Sequence, residues 1–258
     1  MKAPLLTFAW VGLGELLLGA LALIFAYAVH GDSIRRWRYR FRRAQALLQD
    51  SWPLIISTIA VLLYMKIDQI MLREMIGNTA VGIYSAATRI SEMWYFLPVA
   101  VVSSVTPALI AARQKSEILY YQRLQQLFKL MTGIALMIAL PMTFLSTHVV
   151  VWLFGKSYET GGPILAIHIW AAVFVFLGCV QSIWDVNEGR TINSLQRKVL
   201  GAVINIVLNL VLIPLYAGLG AAVATVVSYA FSAFILNLIS SKTRRMFFIQ
   251  ARSFLFFL

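Results

Sequence analysis

The stretch Tyr64–Glu92 reads YMKIDQIMLREMIGNTAVGIYSAATRISE. Two apolar runs meet at a short polar turn around Glu74–Asn78, and charges stand inside both runs. Lys66, Asp68, Arg73 and Glu74 lie on the first, Arg89 and Glu92 on the second. A charge at mid-membrane costs about 3 kcal/mol or more, so such residues face a watery cavity, pair with one another, or do both. Helical geometry sorts them further. Lys66 and Arg73 are seven apart and share a face, whereas Asp68 lies about 200° from Lys66, aligned with Tyr64 and Leu72. Lys66 and Arg89 each fall some ten to twelve residues from the turn, roughly 15–18 Å deep at helical rise. Arg73 is nearer the interface, where it can snorkel.

Working outward, the chain has 258 residues, 60% hydrophobic and 12% charged, with a mean hydropathy of +0.81. About seven apolar runs approach or exceed the roughly 20 residues that cross a hydrocarbon layer. They span 4–28, 52–73, 79–111, 127–147, 162–185, 199–215 and 219–240. Lipid cannot hydrogen-bond backbone groups, so runs of this length must be helices. The fold class is all-α: a multi-pass membrane protein of about seven transmembrane helices. The run 4–28 contains Glu15 and is too long for a cleaved signal peptide, so it reads as a retained helix.

The net charge of +12 would suggest nucleic acid in a soluble chain. Here the basic residues cluster after every second apolar run, at Arg35–Arg43, Arg113–Lys129, Arg190–Lys198 and Lys242–Arg252. That is the pattern of cytoplasmic loops, and it excludes nucleic acid as the natural partner. It places the N-terminus outside and the C-terminus in the cytoplasm. The alternation Arg35-Arg36-Trp37-Arg38-Tyr39-Arg40-Phe41-Arg42-Arg43 suits a linker lying at lipid headgroups.

Local signals refine this outline. Ser51-Trp52-Pro53 predicts a helix start with Pro in the first turn. The run 79–111 would be about 50 Å long as one helix, and Pro98 and Pro107 predict a kink or break in it. Residues 148–161 read as an outer re-entry. Pro214-Leu215-Tyr216-Ala217-Gly218 predicts a tight outer hairpin between the last two helices, followed by small residues that allow close approach. Asn205 and Asn209, one turn apart, read as interhelical glue more readily than as substrate contacts.

The charges admit two readings. In one, Arg89–Glu92, and Asp68 with a basic neighbour, are neutralised pairs that hold helices together. In the other, Lys66 and Arg89, with Arg73, line a cavity for an anionic group. Asp68, Glu92 or Glu15 then serves ion or proton coupling. No catalytic constellation, cofactor motif or metal-ligand spacing stands in the sequence: His30, His148 and His168 are scattered. Asp185, Asn187, Glu188 and Arg190 read as ordinary polar groups at a cytoplasmic helix end. A seven-helix receptor or photoreceptor would share the topology, but 219–240 lacks a lysine for a retinal Schiff base. A membrane polymerase or ligase would be expected to carry a larger outer loop than 148–161.

Two segments carry a resemblance. Tyr64–Leu72 continuing through Val81–Ala87 to Arg89–Glu92, and Asn205–Pro214 followed by Gly218–Thr225, resemble oligosaccharide flippases of the O-antigen (Wzx-like) type. These belong to the MATE-like, lipid II flippase-related superfamily. The resemblance implies a transporter that moves an undecaprenyl-diphosphate-linked oligosaccharide across the bacterial inner membrane by alternating access, between two six-helix lobes. It implies that 1–28 is the last helix of a first lobe and 29–50 a basic linker. Residues 51–241 would be a complete six-helix second lobe, and 242–258 a basic tail. Lys66 and Arg89 would line the cavity, and a separate chain would be needed for the remaining helices. The alternative is a polysaccharide polymerase or ligase acting on the same lipid-linked glycans.

Overall fold

The computed structural model describes residues 5–30 and 40–254. Arg35–Tyr39 of the Arg–aromatic run, and the side chain of Tyr64, lie outside what is described. The chain divides into two units, Met1–Asp50 and Ser51–Leu258. The first holds α1 (Leu5–His30) and the opening turns of α2 (Phe41–Met75).

The second unit carries the rest of α2, followed by α3 (Asn78–Glu92), α4 (Phe96–Lys115), α5 (Glu117–Phe154), α6 (Gly161–His168) and α7 (Ala171–Asn187). After these come α8 (Thr191–Ala230), α9 (Leu236–Ile239) and α10 (Arg244–Phe254). Six helical stretches among the described residues are long and apolar enough to cross a membrane. The last, Thr191–Ile239, folds back on itself at Ala217. The protein is an all-α polytopic membrane protein.

Several elements differ in extent from the sequence expectation. Pro53 stands inside α2 rather than in its first turn, because Phe41–Asp50 is rich in residues of good helix propensity and carries the helix further back. The α5 helix has 38 residues, roughly 57 Å at helical rise and longer than a hydrocarbon layer of about 30 Å, and by running on to Phe154 it shortens the expected outer re-entry. A single turn, Lys156–Tyr158, follows Gly155, whose φ of 88° reverses the chain. The 79–111 run is interrupted near Pro98, whereas Pro107 stands inside α4. A 3-10 turn at Met93–Tyr95 separates α3 from α4, three residues ahead of Pro98, whose ring would clash with the carbonyl four residues back.

The α8 hairpin is built on Ala217, which has φ 47° and ψ −126°. That is the first central position of a type II′ turn, a conformation glycine adopts freely and alanine does not. The two arms then run antiparallel. Gly201 faces Ser232, and Gly220 backs onto Leu212 so closely that a Cβ there would come 2.2 Å from the Leu212 carbonyl oxygen.

Two apolar cores fill the second unit. One joins α4, α5, α7 and α10 through Leu109, Phe128, Met131, Phe176, Trp184 and Met246. The other, toward the Gly77 and Ala217 turns, gathers Leu72, Tyr84, Val150, Leu165, Ile213 and Ala221. The end rich in Arg and Lys is cross-linked by polar contacts. Arg113 donates to the Asn187 carbonyl and pairs with Glu188 at 3.1 Å. Arg190 donates to the Lys242 carbonyl and stacks over Trp184 at 4.7 Å. Residues 244–254, within the stretch read as a tail, form a packed helix. Met246, Ile249, Gln250 and Ser253 are buried, and Ser253 Oγ lies 2.9 Å from Thr132 Oγ1 on α5.

Ala217→Gly should raise the unfolding free energy of the chain in detergent by about 1 kcal/mol through relief of backbone strain. Gly220→Ala should lower it by about 1–3 kcal/mol through overpacking against Leu212. Thermal unfolding of both variants checks the hairpin; equal midpoints would contradict it.

Candidate functional site

Asp68 lies deep in α2 and is only 2% exposed. Three side chains from two other helices converge on its carboxylate. Tyr84 of α3 donates its hydroxyl to Oδ2 at 2.8 Å. Asn209, on the first arm of α8, donates Nδ2 to Oδ1 at 2.6 Å, and Thr225 on the second arm donates its hydroxyl to Oδ2. The same Thr225 hydroxyl lies 3.0 Å from the Ala221 carbonyl one turn back. Behind this first ring, Asn209 Nδ2 also reaches Asn205 Oδ1 at 3.1 Å, and Asn205 Nδ2 donates to Ser228 Oγ at 3.4 Å.

Among the described residues no lysine or arginine pairs with Asp68. The expected basic neighbour is replaced by neutral donors. Hydrogen bonds to a carboxylate are each stronger than neutral ones, yet they leave its full charge uncompensated. The cluster is rich in oxygen: the carboxylate, the Asn205 and Asn209 carbonyls, the Thr225 hydroxyl and the Ala221 carbonyl all lie together. Asn209 Oδ1 is buried without a hydrogen-bond partner. Chemically, such a site can take a proton or a small monovalent cation as counter-charge. Among the described residues no group of three His, Cys, Asp or Glu side chains could hold a metal ion. His168 is buried beside the cluster, its ring edge-on to Tyr84 at 6.2 Å.

The cations lie on the opposite face. Lys66 and Arg89 are exposed, and Lys66 Nζ approaches Glu92 Oε2 at 4.0 Å. Glu92 is half-buried and within electrostatic reach of Lys66, Asp68 and Arg89. Glu92 therefore pairs with Lys66 across helices rather than with Arg89 along its own. Arg73 is exposed near the Gly77 turn, and Glu15 is exposed on α1 of the first unit. The structure thus brings Lys66, Arg89 and Glu92 to one face of the second unit and sets Asp68 beneath it. Asn205 and Asn209 are fully buried and bridge helices as their spacing suggests.

A second buried charge was not singled out by the sequence. Asp185 is 1% exposed and Arg197 8%, and Arg197 Nη2 donates to Asp185 Oδ2. With its amide turned to satisfy its neighbours, Gln181 accepts from Arg197 Nη2 at 3.0 Å. Asn237 and Gln250 complete an amide cluster, joined at 3.0 Å, that ties α7, α9 and α10 together. Asp185 is therefore a buried ion-pair partner, not an ordinary polar group at a helix end. The segment between it and Arg197 includes the Gly189 turn, φ 64°, which folds α8 back along α7. That turn was the available signal.

A family model described as "Polysaccharide biosynthesis protein" matches residues 5–112. Two proteins of Haloferax volcanii are also similar. The probable flippase AglR is 26% identical over 172 residues, 64% of this chain and 35% of that protein. The probable low-salt glycan biosynthesis flippase Agl15 is 25% identical over 243 residues, 86% of this chain and 50% of that protein. The chain is similar to polysaccharide flippases. It spans half or less of the length of these curated relatives. The relatives are archaeal, so they point to a multi-pass membrane protein without specifying a bacterial inner membrane. They give no support to a separate chain for the first lobe. No solved structure gives a significant match.

In this flippase-like unit the Asp68 cluster joins α2, α3 and both arms of α8. Asp68→Leu leaves the Tyr84, Asn209 and Thr225 donors without an acceptor, and should destabilise the chain by roughly 1–3 kcal/mol. Asp68→Asn keeps shape and one acceptor, and should unfold close to the native midpoint. Equal stability of the Leu and native chains would show that the cluster holds nothing.

Proposed function

We propose that the chain forms part of a transporter that moves a polyprenyl-phosphate-linked oligosaccharide across its membrane by alternating access. In a bacterial host this would be an undecaprenyl-diphosphate-linked glycan destined for O-antigen or a related surface polysaccharide, handled at the inner membrane. The similarity to glycan-biosynthesis flippases supports the substrate class. The single observation that carries the mechanism is the division of charge on α2. Lys66 stands on the exposed face with Arg89, and Asp68 stands on the buried face, paired with no cation among the described residues.

Each face has its own task in this reading. Lys66 and Arg89, with Arg73 toward the Gly77 turn, form a cationic wall for the diphosphate, or for acidic sugars, as the substrate passes mid-membrane. Glu92 keeps Lys66 extended along that wall while the cavity is empty. Asp68 exchanges its counter-charge, a proton or a monovalent cation. Because Tyr84, Asn209 and Thr225 all hang on its carboxylate, loading it changes how α2 seats against α3 and α8. Glu15 is a further coupling candidate on α1. A polymerase or ligase acting on the same glycans is the alternative, and no observation of the structure favours it.

In the native host, the double variant Lys66→Gln, Arg89→Gln should accumulate lipid-linked oligosaccharide on the side where it is made, with normal membrane insertion. Normal export would remove the cationic wall from the mechanism. In sealed vesicles, Asp68→Asn should abolish acceleration of export by an imposed proton or sodium gradient while substrate still binds. An unchanged gradient response would assign coupling elsewhere.

A further inference from the structure

The first turns of α5 and one face of α10 enclose an open groove of about 880 Å³. Three contacts set its direction. Arg245 pairs with Glu117 at 3.0 Å, Gln125 Nε2 donates to the Ile249 carbonyl at 3.0 Å, and Ser253 meets Thr132 at 2.9 Å. The two helices therefore run side by side in the same direction, from the Arg- and Lys-rich end into the apolar run that begins at 127. Arg245 and Arg252 are seven residues apart, so they share a face of α10 and stand about 10.5 Å apart along its axis. Arg245 is held in place, stacked 3.4 Å over the Tyr121 ring. Arg252 is exposed and makes no ion pair among the described residues, although it stands beside Ser253, where the apolar run has already begun. No carboxylate lines the groove, and Gln122, Gln125 and Gln126 supply its polar wall. The face of α5 that carries Gln122 and Gln126 continues at helical spacing through Leu130 and Met137, both exposed. A basic, amide-lined recess thus sits directly above an apolar stripe.

We propose that this groove holds an anionic phospholipid of the adjacent leaflet, as a resident lipid and not as a transported one. Its phosphate meets Arg252 and the amide of Gln126, at the level where an arginine on the edge of the hydrocarbon reaches for headgroups. The rest of the headgroup extends up the groove toward Gln122 and Arg245, and an acyl chain lies along Leu130 and Met137. Basic recesses between membrane helices at a positively charged end suit anionic headgroups. An acidic peptide would use the two arginines and leave the apolar stripe below them uncovered. A zwitterionic lipid would bring its own cation against Arg245. A lipid in this place pins α10 to α5. The buried face of α10 carries Gln250, which reaches Asn237 at 3.0 Å and the Ala233 carbonyl at 3.1 Å. Ala233 belongs to a π turn, Phe231–Ile235, at the end of the α8 arm that carries Thr225. The lipid therefore steadies that arm from outside the Asp68 cluster. The site concerns a resident lipid, so it stands whether or not the chain transports glycans.

Native mass spectrometry and thermal unfolding of the full chain in a non-ionic detergent test this, with phosphatidylglycerol or phosphatidylcholine of matched acyl chains added. Phosphatidylglycerol should bind about 25-fold more tightly, from two basic residues at roughly fivefold each, and should raise the unfolding temperature. Arg252→Gln should reduce its affinity about fivefold, by removing one of the two charges. Gln126→Glu, at an exposed position, sets a carboxylate in the groove and should reduce it by a similar factor. Both variants should unfold at the native temperature in phosphatidylcholine, which separates loss of the lipid from loss of the fold. Equal binding of the two lipids, or native-like binding of phosphatidylglycerol by both variants, overturns the proposal. Equal stabilisation by glycerol 1-phosphate also overturns it, in favour of a soluble phosphate. Displacement of phosphatidylglycerol by soluble polyglutamate overturns it in favour of an acidic protein segment.

Discussion

A carboxylate in the middle of a membrane protein, held among the described residues by neutral donors alone, is the constraint around which the second unit is arranged. Asp68 cannot remain charged in so dry a place without hydrogen bonds. Those bonds come from Tyr84, Asn209 and Thr225, one from each of three helical segments. Satisfying Asp68 therefore fixes the rotation of α2, the depth of α3 and the register of the α8 arms at once. The hairpin at Ala217 and the close approach at Gly220 matter for the same reason. They bring Asn209 and Thr225, sixteen residues apart in sequence, to opposite sides of one carboxylate.

The second buried charge illustrates a different solution. Asp185 is matched by a true cation, Arg197, and backed by the amides of Gln181, Asn237 and Gln250. A buried pair of this kind fixes geometry more than it adds stability, because desolvation offsets much of the attraction. The two sites divide the labour. The Asp185 pair belongs to the end cross-linked by Arg113, Arg190 and α10, which is built to stay put. Among the described residues the Asp68 cluster has no fixed counter-charge, and in the proposed mechanism it responds to what arrives from solution.

Much of this is legible in the sequence, for particular reasons. Apolar runs of bilayer length leave no alternative to helices. Pro98 and the Pro214–Gly218 segment mark the break and the hairpin through backbone chemistry that tertiary packing does not override. The separation of Lys66 from Asp68 follows from two residues at 100° each. What escapes is the burial of Asp185 and Arg197. Membrane helices are apolar on every side, so hydropathy does not distinguish the face toward lipid from the face toward protein. The α10 helix escapes because its charges suggest a tail, although Met246, Ile249, Gln250 and Ser253 recur at helical spacing. Asp68 is visible as an anomaly, but its partners are not. Tyr84 and Thr225 look like ordinary residues until the fold brings them together.

In the proposed mechanism Asp68 draws its counter-charge from solution, because the described residues supply donors but no cation. Isotope-edited infrared difference spectroscopy of the full chain, with labelled aspartate, observes this directly. The account predicts a carboxyl C=O band that disappears when pH is raised or sodium is added, and that is missing from Asp68→Asn. A spectrum indifferent to both proton and cation, in a chain that remains folded, would contradict it.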